Sequence, residues 1–457
     1  MDNQQVSVSP QANQVTTGPI VRTVLSLAIP VVLGQLMQFS LSVINLFWVG
    51  RLGPSAQDAI TTSMVVIWTV YASQSIILVG VTALVARSVG AKDLESARHT
   101  IRQATLYSVL LSLVYGVVGY AITPWLLHFM STSPETTQQA TPYIRIFFVA
   151  NLFSALSETL YSAFRASGNT RTPTLVGVLV VLTNMILDPL LIFGWGIVPP
   201  LGVAGASLAT AISLCVGTIV IWQRLSKGKM GYDVPRLMPT KVDWSAIGRI
   251  TRIGLPVAVQ QITFVAVYWF LVSLVHQFGN SAGAAMGIGN RMESLSYLTC
   301  WGFSIAASTM VGQNLGAKEP DRAARGAWAA VGLAVGATLI TSIIFVTMPN
   351  VIASIFSPDP QVRAMASDYL FILGLSQIMM AVEIVLEGSF SGAGDTVPPM
   401  IVLLPGAIVR IPLAYYLAAE GRFGLSGVWW TLTITTLVKA AVLAFWFSRG
   451  RWKARTL

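Results

Sequence analysis

The chain has 457 residues, a formal net charge of +10, 54% hydrophobic residues and only 10% charged ones. A soluble domain carries roughly 25% charged residues. No soluble fold of this length hides so much apolar surface, so composition excludes an ordinary water-soluble domain and points to a membrane.

The first 20 residues, rich in Gln, Ser, Asn and Thr, read as a disordered cytoplasmic tail. They lack the charged start and small-residue cleavage site of a signal peptide. Apolar stretches then recur, each near the roughly 20 residues a helix needs to cross the hydrocarbon core. They fall at 24–50, 58–86, 100–124, 141–164, 171–195 and 203–224, then at 248–276, 284–312, 326–347, 366–391, 398–419 and 424–447. The runs are continuously apolar, without the period-2 alternation of a membrane barrel. The expected fold is an all-α integral membrane protein of twelve transmembrane helices. Residues 21–226 form an N-lobe of six helices, 227–247 a polar basic linker on the cytoplasmic side, and 248–457 a C-lobe of six helices with a basic tail.

The positive charge has a topological explanation. With both termini in the cytoplasm and alternating spans, 21 of the 28 Lys and Arg fall in or beside cytoplasmic segments, and only Arg51 and Arg422 lie in external loops. This is the positive-inside bias, so the basic balance reports orientation and no nucleic-acid partner is expected. Cys215 and Cys300 lie inside apolar runs and read as small buried hydrophobes. His99, His128 and His276 have neither a nucleophile nor a metal-ligand partner at usable spacing, and no Gly-Lys-Ser/Thr phosphate loop is present. The chain therefore reads as neither an enzyme nor an ATP-driven pump.

An internal repeat organises the sequence. A shift of 226 residues aligns Pro30 with Pro256, Gln35 with Gln261, Gly53 with Gly279, Tyr71 with Tyr297, Gly90-Ala91-Lys92-Asp93 with Gly316-Ala317-Lys318-Glu319, and Gly168-Asn169-Thr170 with Gly394-Asp395-Thr396. After a four-residue slip, Gly202 and Gly205 fall on Gly424 and Gly427. Six helices per half give both halves the same orientation, a parallel repeat with the substrate path between the lobes. A channel fits less well, since there is no filter-like loop or ring of charges.

Several motifs in register then resemble a known family: Val49-Gly50-Arg51-Leu52-Gly53, Leu187-Asp188-Pro189, Leu201-Gly202-Val203-Ala204-Gly205-Ala206, Val311-Gly312-Gln313-Asn314-Leu315-Gly316-Ala317 and Gly392-Ala393-Gly394-Asp395-Thr396. Together they look like the multidrug and toxic compound extrusion (MATE) family, over essentially the whole chain beyond the tail. The resemblance implies two six-helix lobes in a V and export of cationic or amphipathic organic compounds in exchange for protons or sodium ions. It further implies the cytoplasmic membrane of a prokaryote, membrane lipid and a small organic cation as partners, a monomer, and no cofactor beyond the ion gradient. The alternative is a flippase or exporter of lipid-linked precursors or metabolites; a non-transporting scaffold is the third reading.

Carboxylates inside spans are costly and mark functional positions. Asp188 has Asn184 one turn away on the same face, with Pro189 freeing a nearby carbonyl. Asp188, Thr210 and Asn45 each lie about 10 Å inside the outer ends of their helices, at 1.5 Å per residue. In the family, the matching N-lobe positions form a cation-coupling site of carboxylate, amide and hydroxyl groups. Here Asn45 replaces an aspartate, which leaves less charge to hold sodium at Asp188 and favours a proton. An aspartate that only ties two helices together is the competing reading. In the C-lobe the candidate acids are Glu293, in Asn290-Arg291-Met292-Glu293-Ser294, and Glu383 with Glu387 on one helix face. A dry pair of carboxylates tends to share a proton, unless Arg291 or Arg410 neutralises one of them. Phe264 and Met380 occupy positions that are acidic in some family members. Glu158 either lines the cavity or pairs with Arg165. Gln35 and Gln261, with Tyr71 and Tyr297, are further cavity candidates, in matched positions of the repeat.

Overall fold

The structure, a computed structural model, describes residues 10–130, 132–196, 199–419 and 421–456. Proline and acidic caps set many helix starts. Among the described residues the first lobe comprises α1 (Pro10–Thr17), α2 (Ile20–Gly50), α3 (Pro54–Gly90), α4 (Leu94–Phe129), α5 (Pro134–Ala166), α6 (Arg171–Phe193) and α7 (Val203–Ser226). The second comprises α8 (Trp244–His276), α9 (Asn280–Gly316), α10 (Pro320–Thr347), α11 (Pro349–Phe356), α12 (Pro360–Gly374), α13 (Gln377–Ala393), α14 (Val397–Ile408), α15 (Arg410–Ala418) and α16 (Leu425–Ser448). Proline opens α3, α5, α10 and α12, where its missing N–H costs no hydrogen bond. Asp93, Ser133, Asp243 and Asp359 accept from backbone N–H groups at the starts of α4, α5, α8 and α12.

Twelve crossings result, and two of them depart from a plain apolar rod. Ten spans are long and apolar enough by themselves, counting α14 and α15 as one. α12 and α13 together make the eleventh, bent by 55° at their junction. α9 makes the twelfth: it is 37 residues long and less apolar than most of the others, with Gly, Ser and Asn spread along it. Those small residues face protein. Gly388 and Gly392 of α13 sit directly over the backbone of Ser304 and Ser308, the close small-residue packing that holds helices together where lipid offers no hydrophobic drive.

The tail departs from the sequence reading. Residues 1–9 lie outside the described residues, but 10–17 form α1, and its Val15 is buried in the core of the second lobe. Asn314 Nδ2 donates to the Val15 carbonyl at 3.3 Å, and Arg322 donates to the Gly18 carbonyl. Polar composition suggested disorder; tertiary partners for the backbone, invisible locally, order it.

The lobes meet through a quasi-symmetric contact. Gly302 abuts Ala28, and Gly254 abuts the Ile76 carbonyl; Gly90 abuts the Gln313 carbonyl, and Gly316 that of Arg87. Within each set, the 226-residue shift turns one contact into the other, so both halves present the same patch, as in an isologous dimer. Thr309 Oγ1 donates across the seam to the Arg165 carbonyl at 3.0 Å, and Gln313 Nε2 to that of Ala166 at 2.7 Å. All of this lies in the half of the molecule that carries the basic turns at 91–93 and 317–319 and the linker. The linker itself is fastened to the first lobe, with Arg98 paired to Asp233 at 2.8 Å and Asn169 Nδ2 donating to the Lys229 carbonyl at 2.8 Å. At the other end the buried apolar clusters stay within one lobe. The lobes are thus closed at the basic face and part toward the opposite one.

This seam tolerates no added side chain. Gly254→Val should drive a methyl into the Ile76 carbonyl and cost about 1–3 kcal/mol, read as a lower thermal midpoint of the purified protein; Gly248→Val, one and a half turns away in open space, should leave the midpoint within about 0.5 kcal/mol of native.

Candidate functional site

Three cavities follow the pseudosymmetry, one in each lobe and one between them. The N-lobe cavity, about 510 Å³, is lined by residues of α2, α3, α5, α6 and α7, including Asn45, Tyr71, Asn184 and Thr210. Gln74 Nε2 donates to Asn151 Oδ1 at 2.7 Å on its wall. Neither residue was singled out by sequence, because amides scattered in long apolar helices carry no spacing signal.

Asp188 sits behind this wall, fully buried. With the Asn45 and Asn184 amides turned so that each nitrogen meets an acceptor, both donate to Asp188 Oδ2, Asn184 at 3.1 Å. The Asn184 oxygen then accepts from the Thr210 hydroxyl at 3.2 Å. Asp188 Oδ1 has no hydrogen-bond partner among the described residues. The four residues picked from sequence therefore form one cluster, with the carboxyl shielded from the cavity by the two amides. The cluster offers one oxygen, Oδ1, to a proton or cation.

Between the lobes, a cavity of about 200 Å³ brings together Gln35, Gln261, Glu158 and Glu387 with Gln38 and Trp301. Glu158 does both things expected of it: it lines this cavity and lies 3.8 Å from Arg165. Glu387 Oε1 accepts from Gln260 Nε2 at 2.7 Å.

The C-lobe cavity, about 140 Å³, is lined by Glu293, Tyr297, Tyr369, Glu383, Arg410 and Lys439 among others, with Phe264 and Met380 also on its wall. Here the sequence reading needs correction. Glu383 and Glu387 stay neighbours on one face of α13, but each has its own direct partner, Lys439 for Glu383 and Gln260 for Glu387, so they are not a pair held only by a shared proton. Nor does Arg291 or Arg410 hold a direct salt bridge to Glu383. Lys439 on α16 does, at 2.6 Å, while Arg410 donates to the hydroxyls of Thr435 and Thr436 at 2.9 and 3.2 Å. Lys439 lies 56 residues from Glu383, beyond any helical periodicity, so no local pattern links them.

Glu293 closes a hydrogen-bonded chain. The single hydroxyl proton of Tyr369 has two acceptors in reach, Asn290 Oδ1 at 2.8 Å and Glu293 Oε2 at 3.0 Å, and Asn290 Nδ2 donates to the Tyr268 hydroxyl at 2.6 Å. Both contacts of Tyr369 are satisfied when Glu293 donates its own proton to the Tyr369 oxygen and Tyr369 donates to Asn290 Oδ1. A deprotonated Glu293 must compete with Asn290 for one proton. Among the described residues no three His, Cys, Asp or Glu side chains group as a metal site.

This geometry has known counterparts. A sequence model of the MatE family matches the chain twice, at residues 30–190 and 256–416, the two matches being offset by the same 226 residues as the internal repeat. The chain is 28% identical over 452 residues to the probable multidrug resistance protein NorM of Thermotoga maritima, covering 95% of this chain and 94% of the relative. It is 26% identical over 434 residues to the multidrug export protein MepA of Staphylococcus haemolyticus, covering 93% of each, and 25% identical over 431 residues to an FAD transporter of Shewanella oneidensis, covering 92% and 93%. In fold it is similar to a MOP superfamily transporter of Pyrococcus furiosus, with a TM-score of 0.90 at 21% identity over 98% of this chain and all of that one. The doubled match across both lobes settles the family: this chain is an integral membrane transporter of the multidrug and toxic compound extrusion (MATE) family.

Proposed function

We propose that the protein is a secondary active exporter of cationic or amphipathic organic compounds, driven by proton antiport through Asp188. One observation carries this reading: a fully buried carboxyl with two amide donors on one oxygen and none on the other. Burial disfavours the bare anion, and Oδ1 is the one oxygen of the cluster left to take a proton. A hard cation asks for several oxygen ligands, but the Asn184 oxygen is engaged by Thr210 and the amide nitrogens face the carboxylate, so sodium is served less well. The coupling ion enters as cargo; no cofactor is invoked.

Cationic cargo is supported by the charges in the central cavity. Glu158 has Arg165 beside it, whereas Glu387 accepts from an amide and, among the described residues, has no cation within salt-bridge distance. We take the basic face to be cytoplasmic in a prokaryotic plasma membrane, because Lys and Arg concentrate on that side of short loops. On that assignment both termini are inside, the cleft opens outward, and the protein works as a monomer.

Two tests separate carrier from scaffold. Asp188→Asn should lower gradient-driven efflux of fluorescent cations from vesicles at least tenfold at unchanged membrane insertion, since the amide is close in shape but cannot carry the proton; native-rate efflux, or a requirement for sodium at every pH, would sink the mechanism. Lys439, by contrast, reads as a fixed counter-charge. Lys439→Met should destabilise the protein by about 3–5 kcal/mol by stranding Glu383, and adding Glu383→Met should recover most of that loss, both read from unfolding midpoints.

A further inference from the structure

The outer wall of the N-lobe carries a second binding site. We propose that the groove over α5, between α4 and α7, binds one anionic phospholipid, with Arg145 on its phosphate and an acyl chain along Val149 and Phe153 toward mid-membrane.

The groove has a volume of about 750 Å³, with α5 as its floor, Tyr120 of α4 on one side and Leu208 and Ala211 of α7 on the other. Its polarity runs the way a lipid's does. Gln138, Thr141 and Arg145 lie toward the end of α5 that starts at Pro134, and Ile146, Val149 and Phe153 lie toward the middle of the span. α5 is 33 residues long, about 50 Å, against a hydrocarbon core of about 30 Å. Arg145 is about 16 Å along the axis from Pro134, so with the helix centred it sits about 6 Å below the hydrocarbon boundary. A guanidinium there reaches a lipid phosphate without leaving the groove.

No acidic side chain among the described residues forms an ion pair with Arg145. Basic side chains inside spans pair with acids or polar groups, as Lys439 does with Glu383 and Arg410 with Thr435 and Thr436. The Arg145 Nε is buried without a hydrogen-bond partner, and its guanidinium lies 4.7 Å over the Tyr120 ring. The ring contact fixes the group but does not neutralise it. Basic pockets between membrane helices select phosphate-bearing headgroups, and the exposed Val149, at 64%, offers the apolar track beneath. The groove opens away from the N-lobe cavity: Tyr143 and Phe147 point from the same helix into that cavity, on the other side from Arg145 and Val149, with Ala150 bordering both.

The test uses the full-length protein in mixed micelles and counts retained dioleoyl phosphatidylglycerol by native mass spectrometry across a lipid titration. Arg145→Gln should weaken the tightest phosphatidylglycerol site at least tenfold, and so should Val149→Trp, which blocks the track from an exposed position and keeps the arginine. Dioleoyl phosphatidylcholine should be held at least tenfold more weakly than phosphatidylglycerol by the native protein. Unchanged affinity in either folded variant overturns the proposal. So does equal retention of the two lipids, or displacement of the lipid by millimolar inorganic phosphate, which would make the site one for a free anion.

Discussion

The rest of the structure depends on how closely the two lobes can approach at the basic face. Gly90, Gly254, Gly302 and Gly316 bring backbone against backbone or against a small side chain, in contacts that the repeat relates pairwise. A quasi-twofold seam of this kind has few ways to loosen gradually, because each half supplies both the knob and the gap that receives the other's. Closing it determines the remainder: helices that touch at one end and belong to separate hydrophobic clusters at the other must enclose a cleft, and the central cavity sits where they begin to part.

Within that frame the lobes treat buried charge differently. The C-lobe carries its own cations, with Lys439 on Glu383 and Arg410 near Glu293, so much of its acid is answered inside the protein. The N-lobe cluster has only amides and a hydroxyl around Asp188. An isolated buried carboxylate is tolerated when it is protonated or holds an ion. The repeat therefore preserves backbone geometry while the side chains have diverged: the C-lobe acids meet Lys439 and Arg410, whereas no Lys or Arg among the described residues forms an ion pair with Asp188.

How much of this the sequence revealed depends on the distance over which a signal acts. The crossings were legible because each is a local run, down to α6 starting at Arg171 and α8 ending at His276 as expected. The bend between α12 and α13 was not, since no proline marks it. The N-lobe cluster was legible because three helices present polar residues at one depth and Asn184 and Asp188 share a face. The partner of Glu383 was not: several cations were available, and only packing of α13 on α16 selects Lys439. Local composition also misled at residues 10–17, where Val15 looks incidental in a polar tail but is buried against the far lobe.

α2 connects the proposed coupling site to the seam. Asn45, which donates to Asp188, and Ala28, which meets Gly302, lie on the same helix. Between them Pro30 cannot donate to the Ser26 carbonyl as a helical N–H would, and Thr170 Oγ1 approaches that carbonyl at 3.4 Å instead. Thr174 Oγ1 also donates to the Pro30 carbonyl at 2.9 Å. The helix is thus held near Ala28 by Thr170, the residue before α6, and by Thr174 on α6, the helix that bears Asp188. A ligand shifts a conformational equilibrium only as far as it binds one state better than the other. On the proposed proton coupling, the Asn45 and Asn184 contacts must differ between the two states, and α2 and α6 would be the elements that carry that difference to the basic face.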